Sequence, residues 1–324
     1  SAGDEDRSHG NRPVTMTATM MGKRCEVSVP ASTANMGPGF DCMGCAVGLR
    51  NKFVFSLHGS GEDQITVAGP GAAGIPTTSD NLAVATMRDF LARQGVEAPA
   101  IHMHSQIEVP NARGLGSSST AIVAGLGAAN FFLGTKLTLD ELLDEAVNIE
   151  GHPDNVAPAM LGSLVVAAAH SRPLAYVRVN IHPAFRFLFI VPDYMVKTSD
   201  ARRRLPQSIP FGDAIFNSSR SPLVAMALQS GDGSILREAL QDRLHTNYRK
   251  DLFKGYDVFE KAALGAGALG FCVSGAGPTM LAICAADAMA RVKQSAEKVL
   301  EGQGFRGAVL NLQPDQNGMV ISPQ

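Results

Sequence analysis

The sequence has no tryptophan, few aromatic residues and no excess of charge of either sign. Aromatic residues make up 6% of the 324 residues, and 28 lysines and arginines stand against 30 aspartates and glutamates. A protein that binds nucleic acid through bulk positive charge would be basic, so we expect no nucleic-acid partner. With 45% hydrophobic residues the chain is too apolar for a disordered tail, and its length suits one large domain or two ordinary ones.

A hydrophobic run long enough to cross a membrane is also missing. The longest candidate, Leu161 to Ala169, has about half of the roughly 18 to 20 residues that a membrane helix needs. The first ten residues are polar and acidic and lack the apolar segment of a signal peptide. We therefore expect no membrane partner and interpret residues 1–20 as a frayed terminus or a non-native extension. The expected location is the cytoplasm, or the plastid if the source is a photosynthetic eukaryote.

Cysteine is scarce and odd in number, which favours reduced thiols over a disulfide framework. The five cysteines are Cys25, Cys42, Cys45, Cys272 and Cys284. Cys42 and Cys45 form a C-x-x-C pair, but no second pair of cysteines or histidines lies at the spacing of a zinc site. We favour two small buried apolar residues there, with a metal or redox role as the alternative.

Hydrophobic periodicity predicts a chain of mixed α+β class. Apolar residues in alternation predict strands over 24–30, 51–57, 64–68, 101–107, 164–168, 174–179, 187–191, 269–273, 280–284 and 307–312. Helical spacing and capping residues predict helices over 81–94, 117–133, 138–149, 200–204, 213–229, 233–239, 255–264 and 286–301. The break at HSRP predicts a division into an N-terminal domain, residues 21–175, and a C-terminal domain, residues 176–324.

Glycine, unlike cysteine, is abundant. The 33 glycines among 324 residues exceed the usual share of about 7% of a chain. Six of them lie as pairs in three loops, which are PASTANMGPGFD (Pro30–Asp41), PNARGLGSSST (Pro110–Thr120) and SGAGPT (Ser274–Thr279). We expect the first loop to interrupt the sheet after Pro30. Glycine removes the side chain where backbone must approach another group closely, so these loops are candidate binding segments.

The second loop has the chemistry of an anion site. Gly114 and Gly116 bring bare backbone to the start of a predicted buried helix, and Ser117 to Thr120 all bear hydroxyls. Free N–H groups and the helix dipole attract phosphate at such a position. An ordinary cap is the alternative, but a cap needs one serine. The loop is not a Walker A motif, because no lysine precedes its last hydroxyl.

Gly265–Gly270 matches G-x-G-x-x-G but follows a helix and precedes a strand, so we expect no dinucleotide site there.

The three loops, in this order, resemble the three motifs of the GHMP kinases. Within that superfamily the first loop, the run GLGSSS and EGHPDNVAP (Glu150–Pro158) are similar to the homoserine kinases, and the resemblance extends from about residue 24 through nearly the whole chain. It implies a two-domain α+β fold with an ATP-binding N-terminal domain of the ribosomal protein S5 domain 2-like type and a ferredoxin-like C-terminal domain. The active site would lie in the cleft between them. A homodimer is also expected.

The same resemblance implies ATP and Mg²⁺ as cofactors and assigns the nucleotide site. Ser118 and Glu150 would be the Mg²⁺ ligands, Asn81 would reach the adenine, and the third loop would close over the phosphates. The nucleotide-binding residues implied are Asn81, Pro110, Arg113, Gly114, Leu115, Gly116, Ser117, Ser118, Ser119 and Thr120.

A zwitterionic amino alcohol such as L-homoserine needs a cation for its carboxylate and an anion for its amine. Arginine binds carboxylates in bidentate fashion, and Arg202 and Arg249 match family patterns for this role. Asn247 stands where the pattern before Arg249 usually has proline, which leaves that turn less rigid. The implied contacts of the amine and hydroxyl are Asn35, Asp41, Asp154 and Asn155. Asp41 and Asp154 have an alternative role as turn or helix caps.

The implied reaction is ATP-dependent phosphorylation of L-homoserine to O-phospho-L-homoserine, for threonine biosynthesis. The catalytic residues implied are Ser118, Glu150, Asp154 and Asn155. Whether a base is used stays open: Asp154 is the candidate, but alignment by Asn155 with late proton loss is favoured. Two alternatives remain, a sister kinase for another amino alcohol such as L-threonine and a catalytically inactive ligand sensor. The presence of Ser118 and Glu150 argues against the sensor.

Overall fold

The structure is a computed structural model that describes residues 22–59, 61–96 and 100–324. The predicted terminal segment, residues 1–20, lies outside the described residues. The strands are β1 (Arg24–Ala34), β2 (Met43–His58), β3 (Gln64–Ala68), β4 (Ala100–Gln106), β5 (Leu164–Ala167), β6 (Tyr176–Val179), β7 (Phe185–Pro192), β8 (Gly270–Val273), β9 (Met280–Ala285), β10 (Gly307–Asn311) and β11 (Val320–Pro323).

Helices occupy most of the segments between the strands. They are α1 (Leu82–Arg93), α2 (Ser117–Phe132), α3 (Leu139–Glu150), α4 (Pro153–Leu161), α5 (Thr198–Arg203), α6 (Phe211–Ser230), α7 (Leu236–Ala239), α8 (Thr246–Arg249), α9 (Tyr256–Gly265) and α10 (Met289–Gly302), with a 3-10 turn at Lys250–Leu252. The capping box predicted at the start of α3 is present, with Thr138 and Glu141 bonded reciprocally. None of the helices among these described residues has the length and apolar character to span a membrane.

The first sheet has the strand order β11-β1-β2-β4-β3, with β5 paired to β2 and β6 paired to β5. β3 runs parallel to β4, and the other neighbours are antiparallel. Helices α1 to α4 pack against one another beside this sheet. Their apolar side chains form a core with the sheet, in which Phe53, Phe55 and Phe90 are almost fully buried.

The first loop differs from the prediction. β1 continues through Pro30 to Ala34, and β2 begins at Met43. The expectation that the sheet ends at Pro30 is therefore wrong. Proline cannot donate a ladder hydrogen bond, and the pairing of β1 with β2 shifts register between Pro30 and Ala31 and then continues. This extension brings Asn35 and Asp41 to the end of a strand pair.

The second sheet has the antiparallel order β10-β7-β9-β8. With helices between β7 and β8 and between β9 and β10, this is the strand order of a ferredoxin-like fold, and it confirms the predicted α+β class. One face packs on α9 and α10. The opposite face shares a core with the first sheet, where Phe187 and Phe189 meet Met43 and Leu164. A continuous core thus joins the two sheets.

Two strands from beyond residue 175, β6 and β11, pair within the first sheet. β11 was not predicted, and its residues pair with Cys25–Ser28 at the outer side of β1. The division at residues 175 and 176 stays a prediction.

The cysteines are free thiols, as expected. Burial, with Asp154 and Asp41 nearby, raises the pKa of Cys42 to about 11, and burial also raises the pKa of Cys45. Thiolates are the reactive form of cysteine, and raised pKa values favour the thiol form of both residues, in keeping with the interpretation as small buried residues.

Gly44 allows the start of α4 to lie directly on β2. A Cβ at Gly44 would be 1.7 Å from the carbonyl oxygen of Asp154. We predict that Gly44→Ala lowers the free energy of unfolding by about 1 to 3 kcal/mol and displaces the first turn of α4. Gly48→Ala is the matched control, because Gly48 lies on the same strand, is exposed, and its nearest contact would be 3.4 Å away at Gln313 O. Urea unfolding of both variants tests this. Equal midpoints would contradict the tight approach.

Candidate active site

A cavity of about 290 Å³ lies where the three glycine loops meet. The turn between α3 and α4 and the segment around the start of α5 complete its walls. The lining residues are Asn35, Phe40, Asp41, Asn111, Ala112, Arg113, Gly114, Gly116, Ser117, Ser118, Ser119, Glu150, His152, Asp154, Asn155, Val196, Lys197, Thr198, Arg202, Arg249, Gly275, Ala276 and Gly277. Most of the residues predicted for the site therefore share one cavity.

Hydrogen bonds join the three loops directly. Ser274 Oγ donates to Gly114 O at 2.6 Å and lies 2.9 Å from Thr33 Oγ1. The N–H of Gly275 donates to Ala34 O at 3.1 Å, and Asn35 Nδ2 donates to Gly275 O at 2.9 Å. The third loop thus supports the other two.

Several residues of the first two loops have positive φ angles, a backbone conformation that is often found at functional sites. Gly114 has φ +80°, and a Cβ there would lie 2.3 Å from Ser274 O, so no other residue fits. Asn35 and Asp41 also have positive φ, at 69° and 56°, although they carry side chains. Such conformations cost free energy and cluster at functional sites.

The N-terminus of α2 opens into the cavity. Its cap is Gly116, which offers no side-chain hydrogen bond, and the first helical bond runs from Thr120 N to Gly116 O at 3.1 Å. The preceding N–H groups, on Ser117, Ser118 and Ser119, therefore have no acceptor within the helix. Free N–H groups and the positive end of the helix dipole make this a binding position for an anion.

Three residues predicted for the nucleotide lie behind this cavity and are not among those that line it. Leu115 is buried in the core shared by the two sheets, and Thr120 Oγ1 donates to Ser117 O at 2.7 Å. Pro110 begins the loop and lines neither this cavity nor the adjoining one.

Arg113 lines the cavity, and its guanidinium donates to Pro192 O at 2.6 Å and Asp193 Oδ1 at 2.9 Å. That contact ties the second loop to the second sheet.

Asn51 holds the second loop from beneath, and sequence reasoning left it without a role. Its Nδ2 donates to Thr120 Oγ1 at 2.8 Å, and its Oδ1 accepts the N–H groups of Glu108 and Val109, each at 2.9 Å. The amide of a fully buried asparagine must find its hydrogen-bond partners inside the protein. A polar residue within a predicted strand was therefore the sequence signal for a structural role of Asn51.

A second cavity of about 160 Å³ adjoins the first and shares Asn111, Ser117 and Ser118 with it. Its walls are largely apolar and suit a flat, weakly polar group. The apolar lining comes from Phe53, Ile75, Pro76, Leu82, Ile107 and Ala121. Asn81 also lines this cavity, but both ends of its amide are bonded within the protein. Its Oδ1 accepts from Ala83 N at 3.1 Å, and its Nδ2 donates to Pro76 O at 2.8 Å.

Glu150 faces the serines of α2 across the cavity. Its carboxylate accepts a hydrogen bond from Ser119 Oγ at 3.2 Å, and burial raises the pKa of this carboxyl above its usual value. Ser118 is exposed and lines both cavities. A carboxylate with neighbouring hydroxyls is a set of hard oxygen donors, which fits Mg²⁺. A cation would also stabilise the ionised form of Glu150.

The acidic residues on the opposite side of the cavity are already paired. Arg202 holds Asp41 through two bonds, of 2.6 and 3.0 Å. His152 Nδ1 lies 2.5 Å from Asp154 Oδ1. Burial opposes protonation of His152, but this hydrogen bond and the nearby carboxylates raise its pKa above the usual value. Ligand atoms of Asp41, His152 and Asp154 lie within 4.8 Å of one another. The carboxylate of Asp41 bonds Arg202, and that of Asp154 bonds His152.

Arg249 reaches the cavity from a buried position, with 2% of its surface exposed. Burial lowers its pKa to about 10, so the guanidinium stays protonated at neutral pH. Nε has no hydrogen-bond partner among the described residues. The ring of Phe40 contacts both arginines, with the Cζ atoms of Arg202 and Arg249 at 5.5 and 5.7 Å from its centre. Lys197, Thr198 and Phe40 were not predicted as site residues.

Asn155 stands at the start of α4, beside the second loop. Its Oδ1 accepts from Ser32 Oγ at 3.0 Å, and a Cβ at Gly116 would lie 3.1 Å from the same oxygen. The predicted catalytic residues Ser118, Glu150, Asp154 and Asn155 thus border one cavity, between the anion position and the paired charges.

Comparison with known proteins identifies the family. The model for the GHMP kinases N terminal domain matches residues 81–163, and that for GHMP kinases C terminal matches residues 224–302. A homoserine kinase from a Synechococcus strain is 45% identical, over 84% of this chain and 89% of its own. One from Trichodesmium erythraeum is 40% identical, over 91% and 97%. The crystal structure of homoserine kinase from Cytophaga hutchinsonii superposes with a TM-score of 0.82 at 28% identity, over 92% of this chain and 97% of that one.

The chain therefore belongs to the GHMP kinase family, and the resemblance carried by the three loops is confirmed. The relatives just described are named homoserine kinases, the branch that the motif wording predicted.

Proposed function

We propose that the protein is an ATP-dependent kinase that phosphorylates the side-chain hydroxyl of L-homoserine to give O-phospho-L-homoserine. The main observation is one cavity that joins an uncapped helix start, suited to phosphate, to paired charges of both signs, suited to a zwitterion. Relatives named homoserine kinase, at 40% identity or more over most of the chain, support this substrate.

The nucleotide half of the site is proposed to lie at α2. The adenosine would occupy the apolar second cavity, and its phosphates would meet the free N–H groups of Ser117 to Ser119. Glu150 and Ser118 would hold Mg²⁺, with Ser119 bonded to Glu150 beside them. When bound, the metal supplies positive charge for the transferring phosphoryl group. Phosphoryl transfer needs mainly such charge neutralisation and accurate positioning.

In the acceptor half of the site, we propose that the ion pair between Asp41 and Arg202 opens when the substrate binds, and that each residue then contacts one charged group of the substrate. Asp41 and Arg202 neutralise each other, and a zwitterion offers each of them a partner of opposite charge. The ammonium group would contact Asp41, Asp154 and Asn35, and the carboxylate would contact Arg202 and Arg249. An alcohol without both charges would leave one member of the pair unmatched, which penalises binding in a partly buried site.

The hydroxyl is proposed to be aligned by Asn155. Oδ1 of Asn155 accepts a hydrogen bond from Ser32, so the Nδ2 group of Asn155 would donate to the hydroxyl oxygen of the substrate. Asp154 is bonded to His152 and would also face the ammonium group, so it is poorly placed to accept the hydroxyl proton. We favour loss of that proton late in the reaction, to phosphate or solvent.

The setting of the reaction is part of the proposal. Production of O-phosphohomoserine places the protein in threonine biosynthesis, and we propose a cytoplasmic homodimer without nucleic-acid or membrane partners. The near-neutral net charge of −2 supports the absence of nucleic acid.

The proposed activity is tested by release of ADP from ATP and Mg²⁺ in the presence of homoserine, threonine, serine, mevalonate or galactose. We expect the highest kcat/KM with homoserine. Turnover of threonine with homoserine at background would favour the sister kinase. Absence of ADP release with every acceptor, in protein that binds ATP, would favour the ligand sensor.

Arg249→Met tests the carboxylate contact, because methionine fills much of the same volume without the charge. We predict that the KM of homoserine rises by about thirty-fold or more, while the KM of ATP hardly changes. The carboxylate-free analogue 3-aminopropan-1-ol should be used equally well by both proteins. Arg243→Ala, which alters an exposed arginine outside this cavity, is the control. An equal rise of both KM values would contradict the assignment.

Glu150→Gln tests the metal contact, because glutamine keeps the acceptor for Ser119 and removes the charge. We predict a loss of about a hundred-fold in kcat and a higher Mg²⁺ concentration at half-maximal rate. Glu145→Gln on the same helix is the control, since Glu145 pairs with Arg93 away from the cavity. Unchanged kcat and Mg²⁺ dependence would remove Glu150 from the site.

A further inference from the structure

His245 lies between the first loop and Arg249 and is fully buried. Its Nε2 is 2.8 Å from the carbonyl oxygen of Gly37, and its Nδ1 contacts Arg249 Nη2. The ring also packs at 5.1 Å from the ring of Phe40, measured between centres. The histidine does not line the cavity itself, so it touches the site through its neighbours.

The contacts define the tautomer of His245. A carbonyl oxygen can only accept, so Nε2 must carry the proton that is donated to Gly37. Burial lowers the pKa of His245 to about 4, so the ring is neutral at physiological pH. Nδ1 then has a free lone pair and accepts the N–H of Arg249 Nη2. One neutral ring thus bonds the first loop on one side and the guanidinium on the other.

Asp242 fixes the backbone that presents this histidine. Its carboxylate accepts the N–H groups of Leu244 at 2.8 Å, His245 at 3.0 Å and Thr246 at 2.6 Å. Asn217 Nδ2 donates to the same carboxylate at 2.7 Å. Asp242 Oδ2 is 3.5 Å from His245 Nε2, which is too far to compete with Gly37 for its proton. The start of α8, which bears Arg249 one turn later, is therefore held in place.

The first loop is seated against the same segment. A Cβ at Gly37 would lie 2.4 Å from Leu240 O, so the loop backbone touches the chain just before Asp242. Arg249 Nη2 also lies within 3.4 Å of Gly275 O in the third loop. With Nη2 committed to these two acceptors, the donors on Nη1 remain for a ligand.

We infer that His245 is a positioning residue for the acceptor, which sets the orientation of Arg249 through the bond at Nδ1. The inference rests on the proposed function, in which Arg249 binds the substrate carboxylate. The bond gives Arg249 a support in a segment where Asn247 replaces the proline expected in the preceding turn. His245 acts through Arg249 and makes no contact with the reacting atoms.

Two substitutions separate the two bonds of the ring. In His245→Asn, the amide oxygen takes the place of Nδ1 and keeps an acceptor for Arg249. In His245→Gln, the amide nitrogen takes the place of Nε2 and keeps a donor for Gly37. We expect His245→Gln to raise the KM of homoserine by about ten-fold or more and to leave the KM of ATP unchanged. We expect His245→Asn to retain a KM of homoserine near that of the unaltered protein.

Two further measurements distinguish positioning from a general structural role. The kcat/KM for 3-aminopropan-1-ol should not respond to His245→Gln, because this acceptor has no carboxylate. In an Arg249→Met background, His245→Gln should cause little additional rise in the KM of homoserine, since the two residues act in series. Equal effects of the Gln and Asn variants on both substrates, or additive effects in the double variant, would overturn the inference.

The unaltered protein provides a test that needs no variant. Nitrogen-15 NMR of labelled imidazoles should find His245 as the neutral Nε2–H form, unchanged between pH 8 and pH 5, and a proton on Nδ1 would overturn the inference. Turnover of homoserine by the unaltered protein is measured first. Failure there would reject the proposed function, whereas failure of the Gln and Asn comparison with turnover intact would reject only the role of His245.

Discussion

The site depends on how closely the backbone of the third glycine loop approaches the second. A Cβ on Gly114 would clash with the carbonyl oxygen of Ser274, so only glycine allows this approach. The hydroxyl of Ser274 also donates to the carbonyl oxygen of Gly114 and contacts the hydroxyl of Thr33. This contact joins segments that belong to both sheets. The anion position at α2 and the charged acceptor side face one another because these loops cannot move apart independently.

Oppositely charged or polar side chains bond one another in pairs at this cavity, in a protein whose net charge is close to zero. Asp41 with Arg202 and Asp154 with His152 are internal pairs, and Arg249 is held by a neutral histidine. Further positive potential comes from the N-terminal end of α2 and from the protonated guanidinium of Arg249. Local arrangement, and not bulk composition, sets the electrostatics.

Sequence reasoning succeeded where the chemistry was local and failed where it was not. The glycine loops, the capping box of α3 and most strands follow from residue types at fixed spacing. The continuation of β1 beyond Pro30 does not, because a register shift in the partner strand compensates for the missing N–H. The sequence marks Asn51 as a polar residue within a predicted strand, but neither its partners nor those of His245 could be predicted, because each residue bonds groups distant in the chain. The roles of the predicted contact residues remain proposals.

The pairing of β11 with β1 has a consequence for the order of folding. The outermost strand of the first sheet is synthesised after the whole ferredoxin-like unit, and Asp315 just before it anchors Arg50 of β2 and the N–H of Ser163. During translation β1 lacks this partner, and is itself an edge strand, until the segment has left the ribosome. Such an edge is prone to pair with other chains. In the nascent protein β1 is therefore a potential site of aggregation until β11 is available.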